Sequence, residues 1–429
     1  MQKTMPWGLI LLLMLAYALS FADRYLLNLL VVPIQENYGF SDTQMGYLLG
    51  PAFGLFYALV GLPLGYLADR IHRPKLIALG MALWSLMTLL TGFAQRYASF
   101  FLARMGVGIG EASLSPSAYS LLAERVSTKR LSTAIAFYSM GIYLGAGLAY
   151  GLGGEILSRF AEAEPWQWGS VSIPVWQSLF IGFAIPGFIL SIWILFAIRE
   201  YRTKLSKSLS IRHLLQKEKW LRLGAPFYWL CAAFACFYVA IYAGGAWLPS
   251  FLMRVHQLPP NTTGWITSLG LMILPGLGLL GGGLLADSMS QANPILGKLK
   301  FCILAMLLFL PASIVFGVLP DLASTLWALL PYGLLLSATV SVGAALVQQM
   351  VPPSERAFAS AVLIFAQNCL GLSLGPTAVG WLTDHTFSGA QSLGYALALV
   401  GGLSVLLASL SLAFLYRRLR AAPAQIAPS

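Results

Sequence analysis

The chain has 429 residues, of which 58% are hydrophobic and only 10% charged, with a net charge of +11. Ordinary globular domains carry about 25% charged and 45–50% apolar residues, so a water-soluble fold of this composition would leave much of its surface apolar, a conflict that a bilayer removes. The basic residues lie in short clusters between long apolar runs, without the aromatic-interleaved patch a nucleic-acid partner would need.

In chain order, twelve runs approach the roughly 20 apolar residues that a spanning helix requires. They fall near 7–34, 43–68, 75–95, 99–123, 131–157, 176–198, 223–252, 262–286, 299–318, 322–350, 358–383 and 391–416. The first run continues well past the roughly 7–15 apolar residues of a secretory signal and is read as a span. The expected fold is therefore an all-α membrane protein of twelve transmembrane helices.

Orientation follows from lysine and arginine placement, because short cytoplasmic loops collect them. With the N-terminus inside, 21 of the 26 fall in cytoplasmic segments, eight of these within 199–222. The outer loops hold three: Arg96, Arg159 and Arg254. Both termini are thus expected in the cytoplasm. The 199–222 stretch is read as a linker between an N-terminal half, 1–198, and a C-terminal half, 223–429.

The halves echo each other. Gly61 through Asp69 ends the second run as GLPLGYLAD, and Gly278 through Asp287 ends the eighth as GLLGGGLLAD. At a constant offset of 226, Arg130 matches Arg356, Leu144-Gly145 matches Leu370-Gly371, and Gly154 matches Gly380. Paired six-helix repeats are an architecture of secondary transporters.

These residues resemble the major facilitator superfamily, whose signature after the second helix reads roughly G-x-x-x-D-R-x-G-R-R/K. Here Gly65, Asp69, Arg70 and Arg73 fill it, with His72 in place of the glycine and Pro74 standing ahead of Lys75. The resemblance implies a cytoplasmic gate built by Asp69, Arg70 and Arg73. Arg130 and Arg356, at equivalent positions opening the fifth and eleventh runs, are expected to brace it. Within the superfamily the chain is similar to the spinster group, on Phe21-Ala22-Asp23-Arg24-Tyr25 and on Arg104, Gly108-Ile109-Gly110-Glu111-Ala112, Pro116 and Tyr119. Eukaryotic members of that group export lysolipids and sphingoid phosphates, and the short loops suit a bacterial inner-membrane member.

An ionisable group at the bilayer centre costs at least about 2.5–3.5 kcal/mol, so four residues stand out: Asp23, Arg24, Arg104 and Glu111. Arg104 and Glu111 are seven apart and share one helix face with Gly108 and Ser115. Asp23–Arg104 and Arg24–Glu111 are one compatible set of pairs, and the sequence does not choose among pairings. Burial favours a neutral carboxyl, while a nearby guanidinium favours a charged one. An arginine that moves away therefore changes proton affinity. Asp23 and Glu111 are read as proton-coupling residues. Arg24 and Arg104 are read as charge-pair or anion-binding groups, a role that guanidinium geometry suits. Static helix-to-helix ion pairing is the structural alternative. Tyr119, Tyr143, Tyr238, Tyr242 and Asn368 are further cavity candidates, although such residues more often serve packing or the interface belt.

The glycine run Gly106-Val107-Gly108-Ile109-Gly110 lies within a span and follows no strand, so it is not a nucleotide loop. Gly106 and Gly110, Gly141 and Gly145, and Gly147 and Gly151 instead suit close helix packing. The four cysteines form no CxxC pair, and no HExxH or histidine-rich cluster exists. No enzyme activity, metal or cofactor is expected. The expectation is a monomeric, proton-coupled transporter of a lysophospholipid or sphingoid-phosphate type of solute, working by alternating access. A carrier of small organic anions or drug-like compounds is the alternative.

The charge distribution makes a topological prediction. Single cysteines introduced by Ser208→Cys or Ala424→Cys should be shielded from impermeant thiol reagents in intact cells and react after permeabilisation. Labelling from outside would invert the proposed orientation.

Overall fold

The computed structural model describes residues 5–68, 71–127, 130–160, 164–168, 171–198, 220, 222–352 and 355–421. Its helices follow the twelve apolar runs. They are α1 (Trp7–Leu29, extended by Val31–Tyr38), α2 (Asp42–Leu49 and Pro51–Ala68), α3 (Arg73–Thr91), α4 (Tyr97–Glu111 and Leu114–Arg125) and α5 (Leu131–Ser139 onward to Arg159). Then come α6 (Val175–Ala197), α7 (Gly224–Arg254), α8 (Pro260–Ser288), α9 (Pro294–Val318), α10 (Leu322–Ala338 and Val340–Met350), α11 (Arg356–Ala366 onward to His385) and α12 (Ser392–Ala421).

Eleven of these are long and apolar enough to cross a bilayer on length and composition alone. The other, α4, is broken at Ala112-Ser113 and carries Arg104, Glu111, Glu124 and Arg125. The break divides it into pieces of 15 and 12 residues, each shorter than the roughly 20 residues a spanning helix needs. At 1.5 Å per residue, the 31 residues of α7 extend about 46 Å, beyond a hydrocarbon core of about 30 Å.

Helix starts follow ordinary capping chemistry. Asn293 accepts from the backbone N–H groups of Ile295 and Leu296 at 3.1 and 2.9 Å, ahead of Pro294 at the first position of α9. Asp321 accepts from the Ser324 N–H at 2.8 Å to start α10. The Ser324 hydroxyl, which also donates to this carboxylate, together with that N–H holds the Asp321 carboxyl below the usual carboxylate range. Prolines sit inside α2, α6, α7, α8, α9, α10 and α11, as neighbouring helices permit in membrane proteins. Both α5 and α11 contain a π-helical turn, Gly147–Leu152 and Gln367–Leu372. The addition to the all-helical expectation is a two-stranded antiparallel ribbon, β1 (Trp166–Trp168) and β2 (Val171–Ile173), with Gln167 opposite Ser172. Two tryptophans alternating with a polar residue before Gly169-Ser170 carried that signal.

The chain forms two compact units. The first comprises Met1–Ser41, Pro51–His213 and Gln257–Ser268, the second Asp42–Gly50, Leu214–His256 and Leu269–Ser429. Each unit thus owns the opening turns of one helix from the opposite half of the sequence. In the first unit, a Cβ added to Gly154 would stand 2.6 Å from the Pro260 carbonyl oxygen, and the Asn261 N–H donates to Ser158 Oγ at 2.8 Å. In the second, Gly46 fits against Pro376, and Gly380 packs directly against the Asp42 backbone. Asp42 also makes a bidentate pair with Arg254, at 2.6 and 3.0 Å, and Asp384 accepts from the N–H groups of Asp42 and Thr43 at 3.2 and 2.7 Å.

The 226-residue repeat therefore has a packing meaning. Gly145 presses α5 onto the α1 backbone at Ala18 and Ala22, and Gly371 presses α11 onto α7 at Tyr238. Gly154 and Gly380 admit the first turns of α8 and α2 respectively. Gly106 and Gly110 seat α4 against α3, whereas Gly151 meets only ordinary van der Waals neighbours.

A Cβ at Gly145 would lie 2.9 Å from both the Ala22 nitrogen and the Phe21 Cβ. Backbone cannot move aside as a flexible side chain can. Gly145→Val should therefore cost about 1–3 kcal/mol by overpacking and lower the thermal midpoint in detergent. An unchanged midpoint would mean that the α1–α5 approach is looser than this.

Candidate functional site

The first unit brings together all four intramembrane charges singled out in the sequence. Asp23, Arg104 and Glu111 are buried, and the Arg24 side chain is nearly so. The open question of pairing resolves in favour of Arg24 and Glu111. Arg24 donates from a terminal nitrogen and from Nε to Glu111 Oε2, at 2.5 and 2.7 Å. Ser20 donates to that same oxygen at 2.7 Å. Ser20 precedes Arg24 by four residues, so one turn of α1 supplies both donors.

Asp23 points elsewhere. Its Oδ2 accepts from Thr88 of α3 at 2.8 Å, and its Oδ1 is buried without a hydrogen-bond partner. Glu111 Oε1 and Arg104 Nε are likewise buried and unpartnered. The Arg104 guanidinium lies over the Phe53 ring at 5.1 Å and feels the charges of Glu111 and Asp23. Arg24 is collared by three rings: Phe53 at 4.4 Å, Phe21 at 4.6 Å and Tyr57 at 4.9 Å. Ring faces are weak acceptors for a cation, worth about 0.5–2 kcal/mol each, so they hold the guanidinium without competing for its partner.

The break in α4 follows Glu111 directly, with Ser113 Oγ donating back to the Gly110 carbonyl at 2.8 Å. A Cβ added to Gly108 would stand 2.7 Å from the Phe53 carbonyl oxygen, so this glycine lets α4 lie against the α2 backbone. The face shared by Arg104, Gly108 and Glu111 is thus the buried one. Ser115, beyond the break, bonds the Tyr138 hydroxyl at 3.1 Å.

The remaining candidates divide between the two units. Tyr119 is exposed and contacts Tyr138 edge-on, with centroids 5.5 Å apart, and Tyr143 is half-buried on α5. In the second unit Tyr238 and Tyr242 lie 5.8 Å apart, and the Tyr242 hydroxyl donates to Asn368 Oδ1 at 2.8 Å. Asn368 stands in the π-helical turn of α11, a feature common at functional sites.

Of the gate candidates, Asp69 and Arg70 lie outside the described residues. Arg73 is buried, bonds Ser120 at 2.9 Å and pairs with Glu124 at the end of α4. Arg130 and Arg356 are exposed where α5 and α11 begin. In the second half Asp287 obtains its cation from Lys298 of α9, at 3.4 Å, rather than from residues following it. Sequence reasoning missed Ser20, Thr88 and Glu124. Only the spacing of Ser20 to Arg24 offered a signal, because the other two act across helices.

Twelve helical runs in two units, with a charge cluster buried at span depth, define the class as a polytopic membrane transporter. The pattern of the Major Facilitator Superfamily matches residues 13–376, and the chain belongs to that family. It is 30% identical to an MFS-type efflux pump of Mycolicibacterium smegmatis over 92% of this chain and 89% of that one. It is 26% identical to protein spinster homolog 1 of Xenopus tropicalis, over 93% and 78% respectively. Its fold superposes with a TM-score of 0.80 on a bacterial homolog of the human lysosomal transporter Spinster, at 24% identity, covering 97% of this chain and 98% of that one. The spinster resemblance therefore extends along nearly the whole chain. The relatives are transporters, not enzymes.

Proposed function

We propose that the chain is a proton-coupled secondary transporter of an amphipathic, lipid-like solute with an anionic or zwitterionic headgroup, of the lysophospholipid or sphingoid-phosphate type. Asp23 and Glu111 carry the protons, and Arg24 and Arg104 supply the positive charge that the solute's headgroup answers.

One observation carries this reading. Each carboxylate has one oxygen engaged and the other buried with no partner. A buried acceptor left bare costs about 1–3 kcal/mol, and a proton on that oxygen removes the negative charge that makes the exposure to low dielectric costly. Protonation of Glu111 also releases Arg24 from its ionic partner. A released guanidinium beside Arg104, whose Nε is buried without a hydrogen-bond partner, is a receptor for phosphate or carboxylate. The proton and the anion are thereby linked through a single ion pair, as a two-state transporter requires.

In this reading the motif residues Asp69, Arg70 and Arg73 serve a cytoplasmic gate braced by Arg130 and Arg356, with Glu124 as the partner of Arg73. Tyr119, Tyr143, Tyr238, Tyr242 and Asn368 line the solute's route. The protein works as a monomer in a bacterial inner membrane, with both termini in the cytoplasm. The likeness to an efflux pump favours a second reading, in which the solute is a small organic anion or a drug-like compound.

The test is transport in liposomes under an imposed pH gradient. Asp23→Asn and Glu111→Gln should each abolish proton-driven uptake while folding is retained, with exchange at equal pH surviving. Retention of full proton-driven transport by both variants would make these residues structural. Lysophospholipid competing with labelled solute, where small anions do not, separates the two solute classes.

A further inference from the structure

Thr91, Thr267, Thr325 and Thr383, all buried in helices, each donate to the carbonyl four residues earlier, at 2.8–2.9 Å. That is the local way for a helical hydroxyl to be satisfied away from water. Thr88 departs from it. It is buried on α3, and its hydroxyl leaves that helix to donate to Asp23 Oδ2 of α1 at 2.8 Å. A hydroxyl has one hydrogen to give, so the bond to Asp23 stands in place of the local one. Ser85, three residues earlier on α3, does not share the task, because its Oγ lies against Gly187 of α6.

The bond matters because the two acids are held differently. Glu111 Oε2 receives Ser20 and two nitrogens of Arg24, which makes three donors, two of them from a cation. Thr88 is the one hydrogen-bond donor to Asp23 among the described residues. Glu111 and Arg104 of α4 and Arg24 of α1 face Asp23 as charges without bonding it. The α6 helix carries no charged residue, and α5 meets this turn of α1 through Gly145. A protonated Asp23 still offers Oδ2 to Thr88 as a carbonyl oxygen. The same bond therefore serves both protonation states, and Oδ1, buried and without a partner, is where the proton comes and goes.

We propose that Thr88 is a positioning residue for Asp23, holding Oδ2 in both states, confining proton exchange to Oδ1 and making Asp23 the first of the two acids to load. The inference rests on the proton-coupled reading above. Loading Asp23 adds one proton to Oδ1 and breaks no bond at Oδ2. Loading Glu111 takes its carboxylate from an ionic partner, so it comes second as the pH falls.

The experiment is an infrared titration of the protonated-carboxyl C=O stretch of the protein in liposomes. The two bands are assigned by their loss in Asp23→Asn and in Glu111→Gln. In the wild type the Asp23 band should appear first on acidification. Thr88→Val keeps the shape of threonine and removes the donor. It should move the Asp23 midpoint about one pH unit towards alkaline and leave the Glu111 band in place. Thr88→Ser, which keeps the hydroxyl, should titrate as the wild type does. A Glu111 band that appears first overturns the proposal, and this order is read without any Thr88 variant, so it stands if Thr88→Val fails to fold. An Asp23 midpoint unmoved by Thr88→Val, or moved equally by Thr88→Ser, overturns it too. Absence of both bands at every pH would overturn the proton-coupled reading itself, so the two failures are distinguishable.

Discussion

The contact between Arg24 and Glu111 is the interaction on which the interior of the first unit depends. Removing either charge alone would leave its partner in a low-dielectric setting, a change that typically costs about 3–5 kcal/mol. The pair also joins α1 to α4 at the point where α4 breaks. Ser20 fixes the carboxylate from the same turn of α1, and three rings fix the guanidinium from α1 and α2. What surrounds the pair orients it without neutralising it. Glu111 Oε1, Asp23 Oδ1 and Arg104 Nε are left over, and a purely structural ion pair would have no use for them.

The glycine contacts explain how such a pair can sit between packed helices. Gly108 lets α4 approach the α2 backbone at Phe53, and Gly145 lets α5 approach α1 beside Phe21 and Ala22. Both contacts flank the segment that carries Asp23 and Arg24. Small residues are how membrane helices reach close contact without a hydrophobic driving force. The second unit repeats the scheme at Gly371 and Gly375 against α7, yet it carries no counterpart of the charged pair at the matching turn. α7 presents Tyr238 and Tyr242 instead, with Asn368 accepting from the latter. The repeat has thus kept the packing in both units and the ionic chemistry in one.

Much of this was legible in the sequence, and the parts that were not have a physical reason. Twelve apolar runs, the 226-residue echo and the four intramembrane charges are local patterns, and each maps onto a described helix. The choice of Arg24 rather than Arg104 as the partner of Glu111 depends on how α1 rotates against α4, which periodicity alone does not determine. Thr88 and Glu124 lie on helices other than those of their partners, Asp23 and Arg73, and are too ordinary as residues to stand out. Lys298 supplies the cation of Asp287 from the following helix, so a motif read only along the chain finds its basic members missing. The strand at Trp166–Trp168 was not read from the sequence because its alternation of two tryptophans about one polar residue is shorter than the run of about four or more residues that marks a strand.

The central claim is that Glu111 exchanges an ionised, Arg24-bound state for a protonated one during transport. Infrared difference spectroscopy of the protein in liposomes, recorded across a pH step with and without solute, observes the carboxyl groups themselves. A protonated-carboxyl C=O stretch should appear in the acid state, shift when solute binds, and vanish in Glu111→Gln. A spectrum in which that band is identical in wild type and Glu111→Gln would contradict the account.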